Sequence, residues 1–314
     1  MTESKKAIYL LDGSSLVYRA FYAMPRFTTT NGKPTGAILG FGNMLLRLIE
    51  DFHPHSILVS FDSPQKTFRH QLAKEYKAQR KPMPDELIMQ MQEVKDMITL
   101  LGFQWVEKPG FEGDDIIGSL CRKAEKEYTV AMVSSDLDFI QLINDSTFLL
   151  QPVKGVTTLK KIDLVTVQNE FGITPHQIID LIALTGDPSD NIQGLPGIGE
   201  KTALDLLRRY QNWEGILKHA DELSPRLQKT IDENQDRVNM NRQLATIVDT
   251  IPIDAGFQIW NFQQIHWSDL FTTLDRLELK KFKERLMKKR NEIKSISLDR
   301  TQSLFSKMQP KKSE

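Results

Sequence analysis

The residues in this chain with most chemistry to offer are carboxylates. Three short apolar runs each finish on aspartate: Leu10-Leu11-Asp12, Ser60-Phe61-Asp62 and Ser134-Ser135-Asp136. If these runs are parallel strands, their carboxyl ends share one edge of a sheet, where ligands of such sheets bind. Asp138 follows two residues after Asp136 and shares its face if the chain stays extended. A further group, Phe111-Glu112-Gly113-Asp114-Asp115, precedes the apolar pattern Ile116, Ile117 and Leu120. Thr185-Gly186-Asp187-Pro188-Ser189-Asp190-Asn191 adds two more. Any one of these aspartates is ordinary as a turn or helix-cap residue. Three carboxylates within four residues exceed what capping needs, and they repel one another unless something positive lies among them. A bound divalent cation meets that need with hard oxygen ligands.

Two further stretches suggest a polyanionic partner. Gly194-Leu195-Pro196-Gly197-Ile198-Gly199-Glu200-Lys201-Thr202 has the form of a helix–hairpin–helix, with glycines at the hairpin and a helix starting near Lys201. Backbone N–H groups there can hold a DNA phosphate without reading sequence. A plain turn between helices is the alternative. A dinucleotide or Walker loop fits poorly, because the glycine spacing is wrong and no strand precedes it. Lys66–Lys81 holds six basic residues and one acidic residue. Within it Lys77 and Arg80 are three apart and share a face if the segment is helical; a solvated basic helix is the alternative.

The elements that must position these groups change character midway. Ala7–Leu11, Ser56–Phe61 and Thr129–Val133 are short runs rich in Ile, Val and Leu, as buried parallel strands are. Between them Asp85–Leu101 carries Leu87, Ile88, Met91, Val94, Met97, Ile98 and Leu101 on one face, with Asp85 able to cap its start and Gly102 its end. This alternation predicts an α/β fold, a parallel sheet flanked by helices. Thr174-Pro175-His176-Gln177 reads as a capping box with proline at the first helical position. Helical patterns follow at Ala203–Tyr210, Leu223–Glu233 and Leu274–Lys289, with little strand signal. The boundary falls near residue 172. From about residue 291 the chain is polar and basic.

Bulk composition agrees with a soluble globular protein of two domains: 314 residues, 40% hydrophobic and 26% charged. No apolar run reaches the roughly 18 residues of a membrane helix, and the start does not read as a signal peptide. The single cysteine, Cys121, cannot form an internal disulfide and reads as a buried thiol. These features predict a cytoplasmic protein with no membrane partner. Net charge is zero, yet Lys280–Glu314 holds 12 basic and 4 acidic residues, so acids gathered on metal would leave a basic surface elsewhere.

In order and spacing, these motifs are similar to those of the bacterial 5′–3′ exonucleases. That family occurs as the N-terminal domain of DNA polymerase I and as free-standing enzymes, within the wider flap endonuclease family. The resemblance runs from about Lys6 to Leu286. It rests on Leu11-Asp12-Gly13-Ser14, Phe61-Asp62, Phe68-Arg69, Tyr76-Lys77-Ala78-Gln79-Arg80, Gly110 to Asp115, Ser135 to Asp138, Thr185 to Asn191, and the hairpin. Gly113 stands where alanine is usual, and Ser134-Ser135 where a threonine-alanine pair is common.

The resemblance implies a PIN-like (Rossmann-like) catalytic domain over 1–172 with a helical arch around 66–90. A helical DNA-binding domain over 173–290 carries the helix–hairpin–helix at 190–210, and 291–314 is a basic tail. It implies two or more Mg²⁺ or Mn²⁺ ions. Asp62, Glu112, Asp114 and Asp136 hold the tighter one, and Asp138, Asp187 and Asp190 the second. Asp136 is shared, and Asp12 and Asp115 act through water or from behind the residues that hold the ions. A K⁺ ion at the hairpin belongs to the same picture. Lys77 and Arg80 join Asp62, Asp114 and Asp136 as catalytic residues. Arg69, Tyr76, Lys77, Arg80, Gly197, Ile198, Gly199, Lys201 and Thr202 contact DNA, with Tyr76 stacking on a terminal base.

The implied activity is structure-specific cleavage of DNA and RNA-primer strands from 5′ ends and flaps, in primer removal and repair, by a monomer of the nucleoid. With no polymerase domain following, the free-standing form is expected. Thr301-Gln302-Ser303-Leu304-Phe305 loosely resembles a sliding-clamp-binding peptide but lacks the leading glutamine. The rival readings are a PIN-type ribonuclease on structured RNA and a non-catalytic DNA-binding scaffold.

Overall fold

The structure, a computed structural model, describes residues 6–154 and 158–292. The clamp-like segment at 301–305 and most of the basic tail lie outside these residues. Strands β1 (Ala7–Asp12), β2 (Ser56–Phe61), β3 (Gln104–Glu107), β4 (Thr129–Val133), β5 (Thr147–Lys154) and β6 (Thr158–Ile162) form one sheet in the order β3-β2-β1-β4-β5-β6. All neighbours are parallel except β6, which returns antiparallel along β5. The three aspartate-tipped runs are the central strands β2, β1 and β4. In register, Leu11 of β1 lies between Val59 and Val133, so the three carboxyl ends emerge side by side.

Alternation along each strand feeds two cores, because successive side chains point to opposite faces. Tyr9, Leu11, Val59 and Val133 pack against α1 (Gly13–Ala23), α2 (Gly36–Phe52) and α4 (Asp85–Leu100). Ile8, Leu10, Val130 and Met132 pack against α5 (Gly113–Ala124), with Cys121 buried among them. This second core runs on without a break into the later helices, through Ile178 of α7 (Gln177–Thr185), Leu207 of α8 (Glu200–Tyr210) and Val238 of α11 (Gln235–Ala245). Between these lie α6 (Leu164–Phe171), α9 (Trp213–Lys218) and α10 (Pro225–Glu233). No helix among the described residues is long and apolar enough to cross a membrane.

Several local expectations shift by a few residues. Pro84, not Asp85, precedes α4, and Asp85 sits in its first turn without capping it. Gly102 does terminate α4, at φ +77°. α7 starts at Gln177, whose Oε1 accepts the Thr174 N–H at 2.7 Å, so the Thr174–Gln177 segment is a turn ahead of the helix. The pattern at Leu274–Lys289 splits into α12 (Trp267–Arg276) and a helix over 280–292, with Glu278 at φ +55° between them.

The last stretch also goes somewhere that periodicity alone does not reveal. After α11 the chain crosses back to the first face of the sheet. Trp260 stacks on Phe103 at 4.9 Å between centroids and donates Nε1–H to the Leu101 carbonyl at 2.8 Å. Leu270, Leu274, Phe282 and Leu286 then join the first core. Gly42 makes room for them, since a Cβ there would lie 2.7 Å from the Phe282 ring.

This return is pinned by Glu93 of α4, which takes Arg276 bidentately at 2.8 and 2.6 Å and also pairs with Lys33. The Arg276 hydrogen bonds lead in holding the Glu93 carboxyl down at about 2, against an ordinary 4.5. A depressed carboxylate contributes stability above its unfolded value and loses it as pH falls toward the folded one. Glu93→Gln should therefore melt below wild type at pH 7. The gap in Tm should close between about pH 4.5 and pH 2. A gap that stays constant down to pH 2 would show that the charge is not what holds the return in place.

Candidate active site

Asp12, Asp62 and Asp136 are each held by a donor of the chain's own. Asp12 precedes α1, where it takes the Ser15 N–H at 3.0 Å and the Ser134 hydroxyl at 2.6 Å. The same Ser134 Oγ accepts the Asp136 N–H at 3.1 Å. Ser134 thus ties the ends of β1 and β4 together, a role its sequence position did not announce. Asp62 reaches across to the N-terminus of α5 and accepts the Gly113 N–H at 2.7 Å, while its own N–H goes to Ser14 Oγ at 2.9 Å. Asp136 accepts the Asp138 N–H at 2.8 Å. That bond turns the chain into a short 3₁₀ helix over Asp138–Leu142, so Asp138 is not on an extended strand. Asp187 and Asp190 sit on a loop pinched by a two-residue ladder, Gly186 opposite Gln193 and Asp187 opposite Ile192. Glycine is required at 186, where φ is +78° and a Cβ would meet Gly194 N at 2.4 Å.

Burial and mutual repulsion raise several of these carboxyls. Asp12 is pushed up to about 7, first by burial and then by Asp62. Asp114 is raised well above its usual range by burial and by Asp12, Asp136 and Asp62. Asp138 rises to about 8, by burial and then by Asp136, Asp187 and Asp190. Asp136 is raised by burial, with Asp190 and Asp187 opposing its charge. The acids thus form two mutually repelling sets, one with Asp12, Asp62 and Asp114 and one with Asp138, Asp187 and Asp190. Asp136 belongs to both. Among the described residues no three His, Cys, Asp or Glu side chains stand close enough to hold an ion as they are. The physical reason is the pattern above: Asp12, Asp62, Asp136, Asp187 and Asp190 each hold a donor of the chain's own, and like charges stay apart.

Cations from the chain itself lie against part of this cluster. Lys77 Nζ is 2.7 Å from Glu112 Oε2 and 3.5 Å from Asp190 Oδ2. The Tyr76 hydroxyl donates to Asp190 Oδ2 at 2.8 Å and reaches Glu112 Oε2 at 3.1 Å. Arg80 Nη2 binds Asp190 Oδ1 at 2.6 Å. Burial works to raise Asp190, but Lys77 and Arg80 outweigh it and hold its carboxyl below the usual value.

The segment carrying these groups is not helical. After α3 (Phe68–Leu72) it runs as consecutive turns, with Lys77 at φ +54° and its N–H on the Asp190 carbonyl at 3.0 Å. Lys77 and Arg80 therefore converge through a turn docked on the 187–191 loop and not through a shared helix face. Tyr76 is 3% exposed, so its ring is closed to a stacking base in this arrangement.

Arg69 departs from expectation, and Asp115 stands behind the other acids as its expected indirect role allows. Both are buried, at 2% and 0% exposure, and pair bidentately at 2.8 and 2.7 Å. Arg69 has no face for DNA and Asp115 none for an ion. The hairpin is as its glycines suggest. Gly197 has φ +76°, Ile198 is buried as the wedge, and Gly199 starts α8 without a side-chain cap. Lys201 is exposed and Thr202 half-buried in the first turn. Arg226, which no motif singled out, brings a guanidinium nitrogen within 3.4 Å of where a Gly197 Cβ would be.

Residues 7–172 match the family model described as 5′-3′ exonuclease, N-terminal resolvase-like domain. Residues 173–268 match the one described as 5′-3′ exonuclease, C-terminal SAM fold. DNA polymerase I of Bacillus subtilis is 38% identical over 288 residues, a match covering 91% of this chain and 33% of that protein. The chain thus spans about a third of the polymerase relatives it matches. The 5′-3′ exonuclease of Aquifex aeolicus is 34% identical over 276 residues, covering 88% of this chain and 93% of that one. In fold the chain is similar to the bacteriophage T5 flap endonuclease solved as a pseudo-enzyme-product complex with DNA and metal ions. That match has a TM-score of 0.64 at 20% identity and covers 90% and 98% of the two chains.

Proposed function

The chain belongs to the 5′–3′ exonuclease family, and from that premise we propose that it hydrolyses phosphodiester bonds at 5′ ends and flaps of DNA and RNA-primed strands in replication and repair. The observation that carries this is the double set of crowded, mutually repelling carboxylates gathered beyond the carboxyl ends of β1, β2 and β4 and on the facing 187–191 loop. Their donors are all hard oxygens, and the raised proton affinity of Asp12, Asp114, Asp136 and Asp138 marks a place that cations would stabilise, which fits Mg²⁺ or Mn²⁺. We assign Asp62, Glu112, Asp114 and Asp136 to one ion and Asp138, Asp187 and Asp190 to the other, with Asp136 shared. Bound there, such ions supply Lewis-acid charge and a water of lowered pKa.

The chain's own residues do the rest. With metal bound, Glu112 and Asp190 would serve as its ligands, and Lys77 and Arg80, which pair with them here, would offset the growing charge on the scissile phosphate. Asp12 acts at one remove, through Ser134 and Asp136. Residues from 173 on grip the duplex backbone through Gly197, Ile198, Gly199, Lys201 and Thr202, with a K⁺ ion at the hairpin. Nothing in this set reads bases, so shape and the free 5′ end select the substrate. A monomer suffices for it. The tail segment Thr301–Phe305 is proposed as a clamp contact, tested by clamp pulldown with the chain ended at 295.

The direct test is a 5′-labelled flap duplex incubated with Mg²⁺ or with EDTA, beside a matched RNA flap. Cutting near the junction in Mg²⁺ only, leaving 5′-phosphate products, is the expected result. Flap binding without cutting in Mg²⁺ or Mn²⁺ would favour a DNA-binding scaffold. Equal cutting of structured RNA lacking a 5′ flap would favour a ribonuclease.

A further inference from the structure

Arg69, which the resemblance gave to DNA, and Asp115, which it set behind the ions, are bonded to each other, and the inference drawn from them rests on the family reading of the site. Asp115 has its acceptor capacity filled. Oδ1 takes Arg69 Nη2 at 2.7 Å and the Val248 N–H at 2.9 Å. Oδ2 takes Arg69 Nη1 at 2.8 Å and the Glu112 N–H at 3.2 Å. A carboxylate has about four acceptor sites, so none is left for an ion. Arg69 spends two more donors on the other side of the joint, Nε to the Leu244 carbonyl at 2.8 Å and Nη2 to the Thr246 carbonyl at 2.7 Å, while Nη1 lies 3.6 Å from Glu112 Oε2.

Three separate parts of the chain therefore meet on one ion pair. They are α3, which leads into the Tyr76–Arg80 turn; the Glu112–Asp115 corner; and the 244–248 segment that leaves α11. Neighbouring bonds reinforce the same seam: the Ile247 N–H goes to Gln141 Oε1 at 2.9 Å and the Ile251 N–H to Ser119 Oγ at 3.0 Å. A seam needing only stability would not require charge, because a buried ion pair is often replaceable by apolar residues at no cost. What a bidentate, fully bonded pair adds is register. It holds the Glu112 backbone, and with it the carboxylate facing Lys77, at a set distance from α3 and the later helices.

We propose that Arg69 and Asp115 are positioning residues that lock the Tyr76–Arg80 turn, Glu112 and the 244–248 segment into one register, and that neither touches metal or DNA. A shift of even 1 Å at a reacting centre can cost on the order of a hundredfold in rate. The expected signature is a fall in kcat of about that size in Arg69→Gln and in Asp115→Asn, with KM for a flap duplex held within about threefold. Calorimetric Mn²⁺ titration should keep the same number of sites. Amide hydrogen exchange should speed up at Glu112, Val248 and the 69–77 segment.

The paired variant Arg69→Met with Asp115→Leu separates position from stability. It should regain the Tm lost in the single variants while kcat stays low. Recovery of kcat along with Tm would reduce the pair to packing, and loss of one Mn²⁺ site in Asp115→Asn would make Asp115 a ligand; either result overturns the proposal. If wild type proves unable to cut flaps, the family reading fails separately. The exchange and Mn²⁺ measurements still judge the pair, which falls if exchange at 69–77 is unchanged in Arg69→Gln.

Discussion

Asp136→Ala is expected to abolish Mg²⁺-dependent flap cleavage, a drop of at least about a thousandfold, while flap binding in Ca²⁺ or EDTA changes little. Asp136 is the acid on which both carboxylate sets converge: it is opposed by Asp190 and Asp187 on one side, and it opposes Asp12 and Asp114 on the other. Losing it weakens both sets at once, and metal charge is worth several kcal/mol of transition-state stabilisation, at about 1.4 kcal/mol per factor of ten. The fold should survive, because the side chain is only partly buried and bonds only the Asp138 N–H two residues on. The same crowding of like charge makes a second outcome testable. Asp136→Asn should raise the Tm measured in EDTA, since removing one charge relieves its neighbours, as happens where function holds acids together against their repulsion. Residual cleavage within tenfold of wild type, or a lowered Tm in EDTA, would remove Asp136 from the centre of the site.

Much of this site was legible in the sequence, because strand ends and acids are both local signals. The runs ending at Asp12, Asp62 and Asp136 gave strands whose register then follows from burial of both faces. The pattern of Gly197, Ile198 and Gly199 gave the hairpin. What stayed hidden depends on partners distant in the chain. Nothing in Phe68-Arg69 says that the guanidinium turns inward to Asp115 and the 244–248 carbonyls. Nothing in Ser134 says that its hydroxyl bridges two acids. The Tyr76–Arg80 stretch carries helix-compatible residues, but its two cations and one hydroxyl find Glu112 and Asp190 only if the backbone turns, and that tertiary gain overrides a weak propensity. The amphipathic pattern after Leu274 likewise specified a helix face without naming the core that it would join.

The Lys77 turn yields the other large effect. Lys77→Ala should lower kcat by about a hundred- to a thousandfold, the scale seen when one preorganised donor is taken from a developing charge, and change duplex affinity by less than about threefold. In the docked turn the ammonium is 15% exposed and sits on a Glu112 carboxylate that is 8% exposed. Removing it leaves Glu112 with Arg69 at 3.6 Å and the Tyr76 hydroxyl at 3.1 Å. The loss of stability should therefore fall short of the about 3–5 kcal/mol of a fully broken buried pair. A divalent ion can supply the missing charge, so Mn²⁺ should raise the Tm of Lys77→Ala by more than it raises that of wild type, where the ion must first displace the ammonium. Equal losses in cleavage and duplex binding would mean that Lys77 only grips DNA. Equal Mn²⁺ stabilisation of the two proteins would mean that the ammonium and the ion do not compete for Glu112 and Asp190. Both results together would leave the docked turn with no part in the chemistry, whereas the expected pair makes one side chain serve twice: as counter-ion for the acids while the turn is docked, and as a partner of the scissile phosphate once ions hold them.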